Sequence, residues 1–430
     1  MRKLDIVHPL IQFPMVNQRG NPSTKHVENT QILVESYGIE VRYNLMRHSL
    51  EMRIPGFETE SERSENATVQ CFKSLVQRHG LSPENSLGHL QFLAESYHPV
   101  QDWIKSKPWD GVDRMQQFMD TIELAQESKS RLAGLLVRRW LVGAVRAVMP
   151  DGRGGRPFTP QGVLTFQGPQ GIGKTEWFKS LAPSDKEWVC TGRVLDPHNR
   201  DSIQQTTSYW IAELGELDAT FKKSDVVAMK AFVTQPFDVY RTAYAMREER
   251  IPRRTMLGAS VNPREFLADE TGNRRWWTVA VKSLNWNHTV DMQQLWSQVA
   301  VMVEQGEKWW LDHDEIQNLN TSNEDHEIVD PLVADLWETW RVPVLADVSR
   351  YPRVKLAEVW AALPNRGNSP MDRRQAVLLA EALRKMGALN DGKYNGVSSY
   401  RVELIKPASS AGYSGSYGGG YGFNPAAYKE

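Results

Sequence analysis

A glycine-rich segment that ends in lysine and threonine has the composition of a phosphate-binding loop. Residues 168–175 read Gly-Pro-Gln-Gly-Ile-Gly-Lys-Thr and fit the pattern G-x-x-x-x-G-K-[ST] without a mismatch. A strand-like run enters the segment and a helix-compatible run leaves it, so the glycines can turn backbone N–H groups toward phosphate oxygens at a helix N-terminus. We expect Lys174 to reach the β- and γ-phosphates and Thr175 to offer its hydroxyl to Mg²⁺. The predicted site for ATP and Mg²⁺ consists of Gly168, Pro169, Gln170, Gly171, Ile172, Gly173, Lys174 and Thr175.

Hydrolysis of a triphosphate also requires carboxylates near the loop, and one apolar run ends in them. Residues 208–216 read Ser-Tyr-Trp-Ile-Ala-Glu-Leu-Gly-Glu. At a sheet edge beside the loop, Glu213 would hold the hydrated Mg²⁺ and Glu216 would polarise the attacking water. A surface loop with solvated acids is the alternative, and Glu213 stands where such strands usually have aspartate.

Two later segments carry polar groups that suit phosphoryl transfer. Residues 255–263 form a strand-like run that ends in Asn262, whose amide would sense the γ-phosphate or orient the water; a plain Asn-Pro turn is the alternative. Arg274 and Arg275 directly precede another strand-like run. One of them would act as an arginine finger on the γ-phosphoryl group of a neighbouring subunit. The alternative is a structural role, in salt bridges or stacked on the tryptophans that follow.

Residues 237–254 predict a basic hairpin. Two short strands flank a polar tip at Arg247–Arg250, and residues 240–254 contain five arginines against two glutamates. Such a hairpin suits contact with the phosphate backbone of a single strand, with tyrosines stacking on bases. A solvated edge hairpin is the alternative. The predicted nucleic-acid contacts in this segment are Arg241, Arg247 and Arg250.

Composition limits the class of protein that positions these residues. A chain of 430 residues is expected to form two or three domains, and 24% charged residues indicate a soluble globular protein. No apolar run approaches the roughly 20 residues that span a bilayer, so neither a membrane partner nor a signal peptide is expected. Two cysteines do not build a disulfide framework or a zinc site, which favours a cytoplasmic setting. The net charge of −1 means that any contact with nucleic acid must come from local clusters.

The patterns predict five segments. They are a mixed, mostly helical α/β domain (1–150), an α/β ATPase core with a central, largely parallel sheet (151–310), a linker (311–343), a winged-helix-like module (344–406), and a disordered Gly/Ser/Tyr-rich tail (407–430). Predicted helices are 28–36, 67–78, 87–96, 112–124, 129–149, 290–308, 356–363 and 371–386. Predicted strands are 39–43, 50–54, 208–212, 254–261 and 276–281, with a hairpin near Asn395-Gly396.

The order of the motifs resembles that of the virulence-associated protein E family, ATPases of bacteriophages and mobile elements related to the superfamily 3 helicases. The resemblance covers about residues 20–310 and leaves out the winged-helix-like segment and the tail. The residues that carry it are Tyr97-His-Pro-Val with Trp109-Asp-Gly, the Gly168–Thr175 loop, Glu213-Leu-Gly-Glu216, Asp238-Val-Tyr-Arg241 with Tyr244, Pro252-Arg-Arg, Asn262 with Glu265-Phe-Leu, and Asp269-Glu-Thr-Gly-Asn-Arg-Arg-Trp.

The resemblance implies an AAA+-like P-loop core that assembles into a ring, usually a hexamer, with the ATP site between subunits. It gives Arg274 or Arg275 a role in trans and points the hairpin into a central channel that grips DNA. Lys230 matches a basic residue of the family and is expected to contact nucleotide or DNA. Some relatives carry a primase, but no zinc-binding cysteines or paired catalytic acids predict one here.

The sequence therefore predicts an ATP-dependent, ring-forming DNA helicase or translocase that serves replication of a phage or mobile element in the bacterial cytoplasm. Its expected partners are single-stranded or forked DNA, further copies of the chain and replication proteins. Two alternatives stay open. One is an ATP-dependent protein remodeller, such as a helicase loader. The other is a nucleotide-switched origin-binding or regulatory DNA-binding protein that acts through the 344–406 module.

Overall fold

The computed structural model of the chain describes residues 6–57, 64–149, 158–215, 223–240, 247–263, 266–267, 273–326, 331–342, 351–364, 371–394 and 397–405. The chain divides into two compact units, Met1–Glu327 and Ile328–Glu430. Predictions for Glu216, Arg241, the Asn395-Gly396 turn and the tail from 407 lie outside the described residues.

The first unit is a mixed α/β structure. Its helices are Val27–Tyr37 (α1), Ser64–Arg78 (α2), Pro83–Leu93 (α3), Pro99–Lys105 (α4), Met115–Met119 (α5), Ser130–Val148 (α6), Lys174–Lys179 (α7), Arg200–Thr207 (α8), Lys223–Val233 (α9), Met292–Glu304 (α10) and His313–Glu324 (α11). Its strands are Glu40–Asn44 (β1), Ser49–Arg53 (β2), Glu95–Tyr97 (β3), Ile122–Leu124 (β4), Val163–Gln167 (β5), Val189–Arg193 (β6), Ile211–Leu214 (β7), Phe237–Tyr240 (β8), Glu249–Pro252 (β9), Met256–Val261 (β10) and Trp276–Leu284 (β11).

A six-stranded sheet in the order β4-β11-β5-β10-β7-β6 forms the centre of this unit. Strands β11, β5, β10, β7 and β6 run parallel, and β4 pairs antiparallel with β11 at one edge. Most side chains of β5, β7 and β10 are buried, as expected for parallel strands that are covered on both faces. The predicted central, largely parallel sheet is therefore confirmed.

Helix α6 packs directly on this sheet. The indole of Trp140 donates to the carbonyl of Leu257 in β10 at 2.8 Å, and the indole of Trp210 donates to the carbonyl of Ala144 in α6 at 2.9 Å. One hydrophobic core contains side chains from Met46 to Leu319 in the sequence, including those of α6 and of the sheet. The predicted boundary at residue 150 therefore does not separate two cores, because α6 belongs with the sheet.

The N-terminal part of the unit has its own small sheet. Strand β1 pairs antiparallel with β2 and parallel with β3, and α1, α2 and α3 pack around a separate core. The helix predicted over 87–96 instead begins at Pro83, after the Ser82 cap, and ends before β3. The helix predicted over 112–124 is wrong beyond residue 119, because Leu124 pairs with Val281 at the edge of the central sheet.

The prediction of a linker over 311–343 is also wrong in its secondary structure. Helix α11 begins directly after Asp312, and Asp312 and Glu315 form a reciprocal capping box at its N-terminus. A second helix, Pro331–Thr339 (α12), follows in the C-terminal unit. Acidic composition suggested a solvated connection, but the spacing of Asp312 and Glu315 is typical of a helix start.

The C-terminal unit continues with Trp340–Arg341 (β12), Arg353–Lys355 (β13), Leu356–Ala361 (α13), Arg373–Lys385 (α14), Leu389–Tyr394 (β14), Val397–Arg401 (β15) and Glu403–Leu404 (β16). Strands β13, β15 and β14 form a three-stranded sheet in that order, and β12 pairs with β16. The predicted succession of helix, helix and hairpin is present, and these elements enclose a core of their own. In the part of the chain that the structure describes, no helix is both long and apolar enough to cross a membrane.

Candidate nucleotide-binding site

The loop between β5 and α7 requires its glycines. Gly171 and Gly173 have φ angles of +83° and +93°, in the left-handed region that favours glycine. A Cβ atom on Gly168 would come within 2.4 Å of the carbonyl oxygen of Val281 in β11. The N–H of Gly168 donates to the carbonyl of Val261 at the end of β10 at 3.1 Å. The loop is therefore fitted closely between the ends of β10 and β11.

Lys174 connects this loop to Asn262. Its ammonium nitrogen donates to the carbonyls of Gly168 and Pro169, both at 2.7 Å, and to the Oδ1 atom of Asn262 at 2.9 Å. Only 6% of the lysine surface is exposed, and burial lowers the pKa of the ammonium against the opposing attraction of Glu213. The structure thus brings together Lys174 and Asn262, which the sequence assigns to the same phosphate site, although 88 residues separate them.

Thr175 and Glu213 meet beside this lysine. The Thr175 Oγ1 atom lies 3.5 Å from Oε1 of Glu213, which is too long for a strong O–H···O hydrogen bond. The other carboxylate oxygen of Glu213 accepts the N–H of Gly192 in β6 at 2.6 Å. The Glu213 side chain is 1% exposed and lies inside β7, whereas the sequence put it after a strand ending at residue 212.

Gly192 is a site residue that the sequence did not reveal. It lies at a register shift between β6 and β7, where its φ angle is +68° and its N–H turns toward Glu213. A Cβ atom on Gly215 would contact Gly192 at 3.0 Å, so both glycines allow the strands to approach closely. A glycine inside a strand is the available signal for such a bulge.

The three strands that carry these residues explain why they meet. Strand β10 lies between β5 and β7, parallel to both, and the ends of parallel strands share one edge of the sheet. The phosphate-loop residues, Glu213 and Asn262 therefore converge at the carboxyl edge, where ligands of open α/β sheets bind.

Comparison with protein families agrees with this arrangement of motifs. Residues 104–328, more than half of the chain, match the model of the virulence-associated protein E-like domain. The chain belongs to the virulence-associated protein E-like family. The match includes the phosphate loop, Glu213, Asn262 and the Arg274-Arg275 pair. It ends at the boundary between the two compact units, so the C-terminal unit lies beyond the family domain.

Comparison with solved structures gives distant matches. The apo structure of the NrS-1 C-terminal region (305-718) is 12% identical with a TM-score of 0.44, and the match covers 87% of this chain and 98% of that one. The A form apo structure of the same region is 11% identical with the same TM-score, and covers 87% of this chain and 99% of that one. No curated protein matches the chain.

The arginine pair of this virulence-associated protein E-like domain lies at the other edge of the sheet. Asn273–Arg275 form a 3₁₀ turn directly before β11, and Trp276 pairs with Val163 at the start of β5. Strand β5 then rises roughly 16 Å before it reaches the phosphate loop. This distance exceeds the length of an arginine side chain, so neither Arg274 nor Arg275 reaches the loop of its own chain.

Arg275 lies in an unfavourable electrostatic environment. Burial, followed by repulsion from Arg274, lowers the pKa of its guanidinium. Its buried Nε atom has no hydrogen-bond partner among the described residues. Burial and the charge of Arg275 also lower the pKa of Lys230 on α9. Three cations are therefore grouped at the amino edge, and Lys230 belongs to this group.

Helix α11 holds the arginine turn in place through a residue that the sequence did not single out. The side-chain amide of Asn323 is fully buried and donates to the carbonyls of Asn273 and Trp276, both at 3.0 Å. The carbonyl of His326 accepts the N–H groups of Phe266 and Leu267. The linker predicted over 311–343 gives no indication of this contact with the arginine turn. The helix cap at Asp312 indicates a helix but not what the helix contacts.

The hairpin of β8 and β9 is anchored by a buried ion pair. Arg253 donates through Nε to Oδ2 of Asp238 at 2.6 Å and through a terminal nitrogen to Oδ1 at 2.5 Å, with side-chain exposures of 0% and 3%. Its guanidinium also lies 4.1 Å from the ring centre of Phe232 in α9. Arg253, counted among the five arginines of the basic hairpin, is therefore structural and is unavailable to nucleic acid.

The remaining hairpin arginines differ in position from the prediction. Arg250 lies within β9 rather than at the tip, where its exposed guanidinium stacks 3.9 Å over Phe237. Arg247 is exposed near the end of the loop that joins β8 to β9, and the adjacent Glu248 is paired with Arg200 on α8. Because Arg253 is buried, the exposed basic surface of the hairpin contains fewer arginines than the five that residues 240–254 contain.

The charge of Arg254 at the base of the hairpin acts on two histidines in the N-terminal part of the unit. His48 and His98 are buried, and burial together with the positive charge of Arg254 lowers the pKa of His48 to about 4 and of His98 to about 3. His48 has a φ angle of +54° in the turn between β1 and β2. These histidines are therefore neutral in the folded chain at neutral pH.

Proposed function

We propose that the chain is an ATP-dependent, ring-forming DNA helicase or translocase that acts in replication of a phage or mobile element. The observation that carries the proposal is the convergence of Lys174, Asn262, Thr175 and Glu213 at one sheet edge, with Arg274 and Arg275 at the other. Membership of the virulence-associated protein E-like family supports the same function class.

Phosphate binding would use groups that the free loop already orients. Lys174 would exchange the neutral oxygens of Gly168, Pro169 and Asn262 for charged phosphate oxygens, to which its hydrogen bonds are stronger. Asn262 would then be released to contact the γ-phosphate or the attacking water. The lysine and the amide are thus coupled, because each is the other's partner before the nucleotide arrives.

The residues at Thr175 fit a magnesium site. A hydroxyl and a carboxylate are the hard oxygen donors that Mg²⁺ prefers, and both lie beside the phosphate loop. Bound there, Mg²⁺ would neutralise charge that develops on the phosphoryl oxygens. Because Gly192 fixes the other oxygen of Glu213, this carboxylate suits metal binding better than proton abstraction, which leaves water activation to Glu216.

The separation of the two edges favours a site shared between subunits. Arg274 and Arg275 would stabilise the γ-phosphoryl group of the adjacent subunit, since their own phosphate loop is out of reach. A ring would also present its hairpins, with Arg241, Arg247 and Arg250, to one DNA strand. The effect of ATP turnover would reach the hairpin along β10. This strand follows Arg253 in the chain and is followed directly by Asn262.

The test is ATP hydrolysis by the full chain with and without single-stranded DNA, together with displacement of a strand from a forked duplex. We expect DNA to stimulate hydrolysis and the strand to be displaced. Lys174→Ala should reduce turnover at least 100-fold, the usual cost of removing a preorganised charge. Lys282→Ala is the matched control, because this exposed lysine pairs with Glu123 and should leave turnover unchanged. An ATP hydrolysis rate that is the same with and without DNA would instead support a protein remodeller.

The C-terminal unit supports a second candidate, a nucleotide-switched protein that binds a DNA sequence. This unit has its own core of α12, α13 and α14 and a three-stranded sheet, an arrangement compatible with a winged-helix-like module. Deletion of residues 328–430 separates the candidates. A helicase would keep strand displacement after the deletion, whereas a sequence-specific switch would lose all DNA binding.

A further inference from the structure

An exposed tryptophan lies against the phosphate loop, and the proposed mechanism does not use it. Trp286 follows β11 and is 48% exposed. A Cβ atom on Gly173 would lie 2.8 Å from Cδ1 of this indole, so the glycine before Lys174 and the tryptophan are in close contact. Aromatic side chains that line a pocket commonly contact the ligand there, so the position of this indole beside the phosphate loop makes it a candidate for ligand contact.

The position of Trp286 is fixed by the backbone on each side of it. The N–H of Leu284 donates to the carbonyl of Ile172 in the phosphate loop at 3.1 Å, and the N–H of Asn285 donates to the carbonyl of Thr121 at 2.8 Å. After the tryptophan, His288 is hydrogen-bonded to the hydroxyl of Ser180 at 3.1 Å. The segment that carries the indole is therefore hydrogen-bonded to the phosphate loop before Trp286 and to the end of α7 after it.

A surface cavity of about 510 Å³ begins at this indole. Its lining includes Trp286, Asn287 and the outer face of α7 at Glu176, Lys179 and Ser180. This volume lies in the range of small-molecule sites. The cavity thus starts at the first turn of α7, directly after the phosphate loop.

We propose that Trp286 is the platform on which the purine base of the nucleotide stacks, with the cavity beside α7 holding ribose and base. The inference rests on the proposed function, because it assumes that Gly168–Thr175 hold the phosphates. With the phosphates there, the ribose and base extend past Glu176 and meet the indole. Stacking of a base on an aromatic ring tolerates any base, so Trp286 supplies affinity, while the polar Asn287 and Glu176 contact the base edge.

The test compares ATP with inorganic tripolyphosphate, which has the phosphates but no base. Both are titrated with Mg²⁺ into the full wild-type chain and into Trp286→Ala, Trp286→Phe and Trp337→Ala by calorimetry. Trp337 is the matched control, since it is 60% exposed and belongs to the C-terminal unit. We expect Trp286→Ala to bind ATP about five- to 100-fold more weakly and tripolyphosphate as wild type does. Trp286→Phe should retain most of the ATP affinity, and Trp337→Ala should match wild type for both ligands.

Two results would overturn the inference and leave the proposed function intact. One is unchanged ATP affinity in Trp286→Ala. The other is an equal loss for ATP and tripolyphosphate in both Trp286 variants, which would make the indole a support of the phosphate loop. A wild-type chain that binds neither ligand would instead contradict the proposed function itself.

Discussion

In the proposed function, the two edges of the central sheet supply different groups to one shared site. At the carboxyl edge, Lys174 is satisfied by three oxygen acceptors, and Glu213 has a backbone donor on one oxygen. At the amino edge, burial and then the charge of Arg274 lower the pKa of Arg275, and burial and then the charge of Arg275 lower the pKa of Lys230. A strand length separates the edges. This difference supports the proposal that one edge receives phosphate and the other supplies positive charge to a neighbouring subunit.

Substitutions at the two edges should affect ATP binding and ATP turnover differently, and this difference should be large. Arg274→Ala combined with Arg275→Ala should reduce ATP turnover about 10³-fold, as loss of an arginine finger does, and leave ATP binding within a few-fold of wild type. Lys174→Ala should weaken both. The measurement is steady-state hydrolysis beside calorimetric ATP binding. Loss of ATP binding in the arginine variant would break the distinction between the edges.

The buried ion pair should make the hairpin at the amino edge sensitive to single substitutions. Arg253→Ala leaves Asp238 buried without its partner, so the free energy of unfolding should fall by about 3–5 kcal/mol. Chemical denaturation measures this loss. Arg250→Ala is the control on the same hairpin, and because its guanidinium is exposed it should cost less than about 1 kcal/mol. Similar losses in both variants would show that Arg253 is not the anchor.

The histidines beside Arg254 should make stability depend on pH. Their pKa values, about 4 for His48 and about 3 for His98, lie below the ordinary value of 6.5, so the unfolded chain binds more protons than the folded chain between these limits. Stability is therefore complete above pH 6.5 and decreases as the pH falls toward 4. Between pH 7 and 5 the loss should be about 2 kcal/mol for each histidine.

Denaturation of His48→Asn at both pH values checks this origin. Asparagine tolerates the left-handed backbone at position 48, so the fold should survive and the pH dependence should fall by about half. An unchanged pH dependence would mean that other groups cause it.

The smallest expected effect concerns the brace of the arginine turn. Asn323→Ala removes two buried hydrogen bonds to Asn273 and Trp276 and should cost about 1–2 kcal/mol of stability. Because the turn also orients Arg275, turnover should fall while ATP binding stays constant. Asn318→Ala, on the exposed face of the same helix, is the control. If both variants hydrolyse ATP equally well, α11 does not position the arginines.

Local motifs explain which parts of the site were predictable from the sequence. The Gly168–Thr175 loop is contiguous, so its residue types and spacing carry the backbone geometry with them. Asn262 and Glu213 were predictable because each belongs to an apolar run that had to be a strand. Arg253 was assigned to the basic surface because the pairing with Asp238, fifteen residues earlier, depends on the hairpin register.

Contacts between distant segments account for what the sequence missed. Gly192 faces Glu213 only because β6 bulges beside β7, and Asn323 reaches the arginine turn only because α11 packs against β11. Trp286 had no signal at all, since a tryptophan in a polar stretch says nothing about a neighbour more than a hundred residues earlier. The strands β5, β7, β10 and β11 of the central sheet were predicted because they are buried and largely apolar, whereas β4 and β6 were not predicted.

Mixing two inactive variants tests the shared site most directly. One variant carries Lys174→Ala with both arginines intact, and the other carries Arg274→Ala and Arg275→Ala with the loop intact. If the arginines act in trans, mixed assemblies contain interfaces with an intact loop facing intact arginines, so ATP hydrolysis should reappear on mixing and depend on the ratio of the two chains. Hydrolysis that stays at the level of the separate variants at every ratio would contradict the shared site.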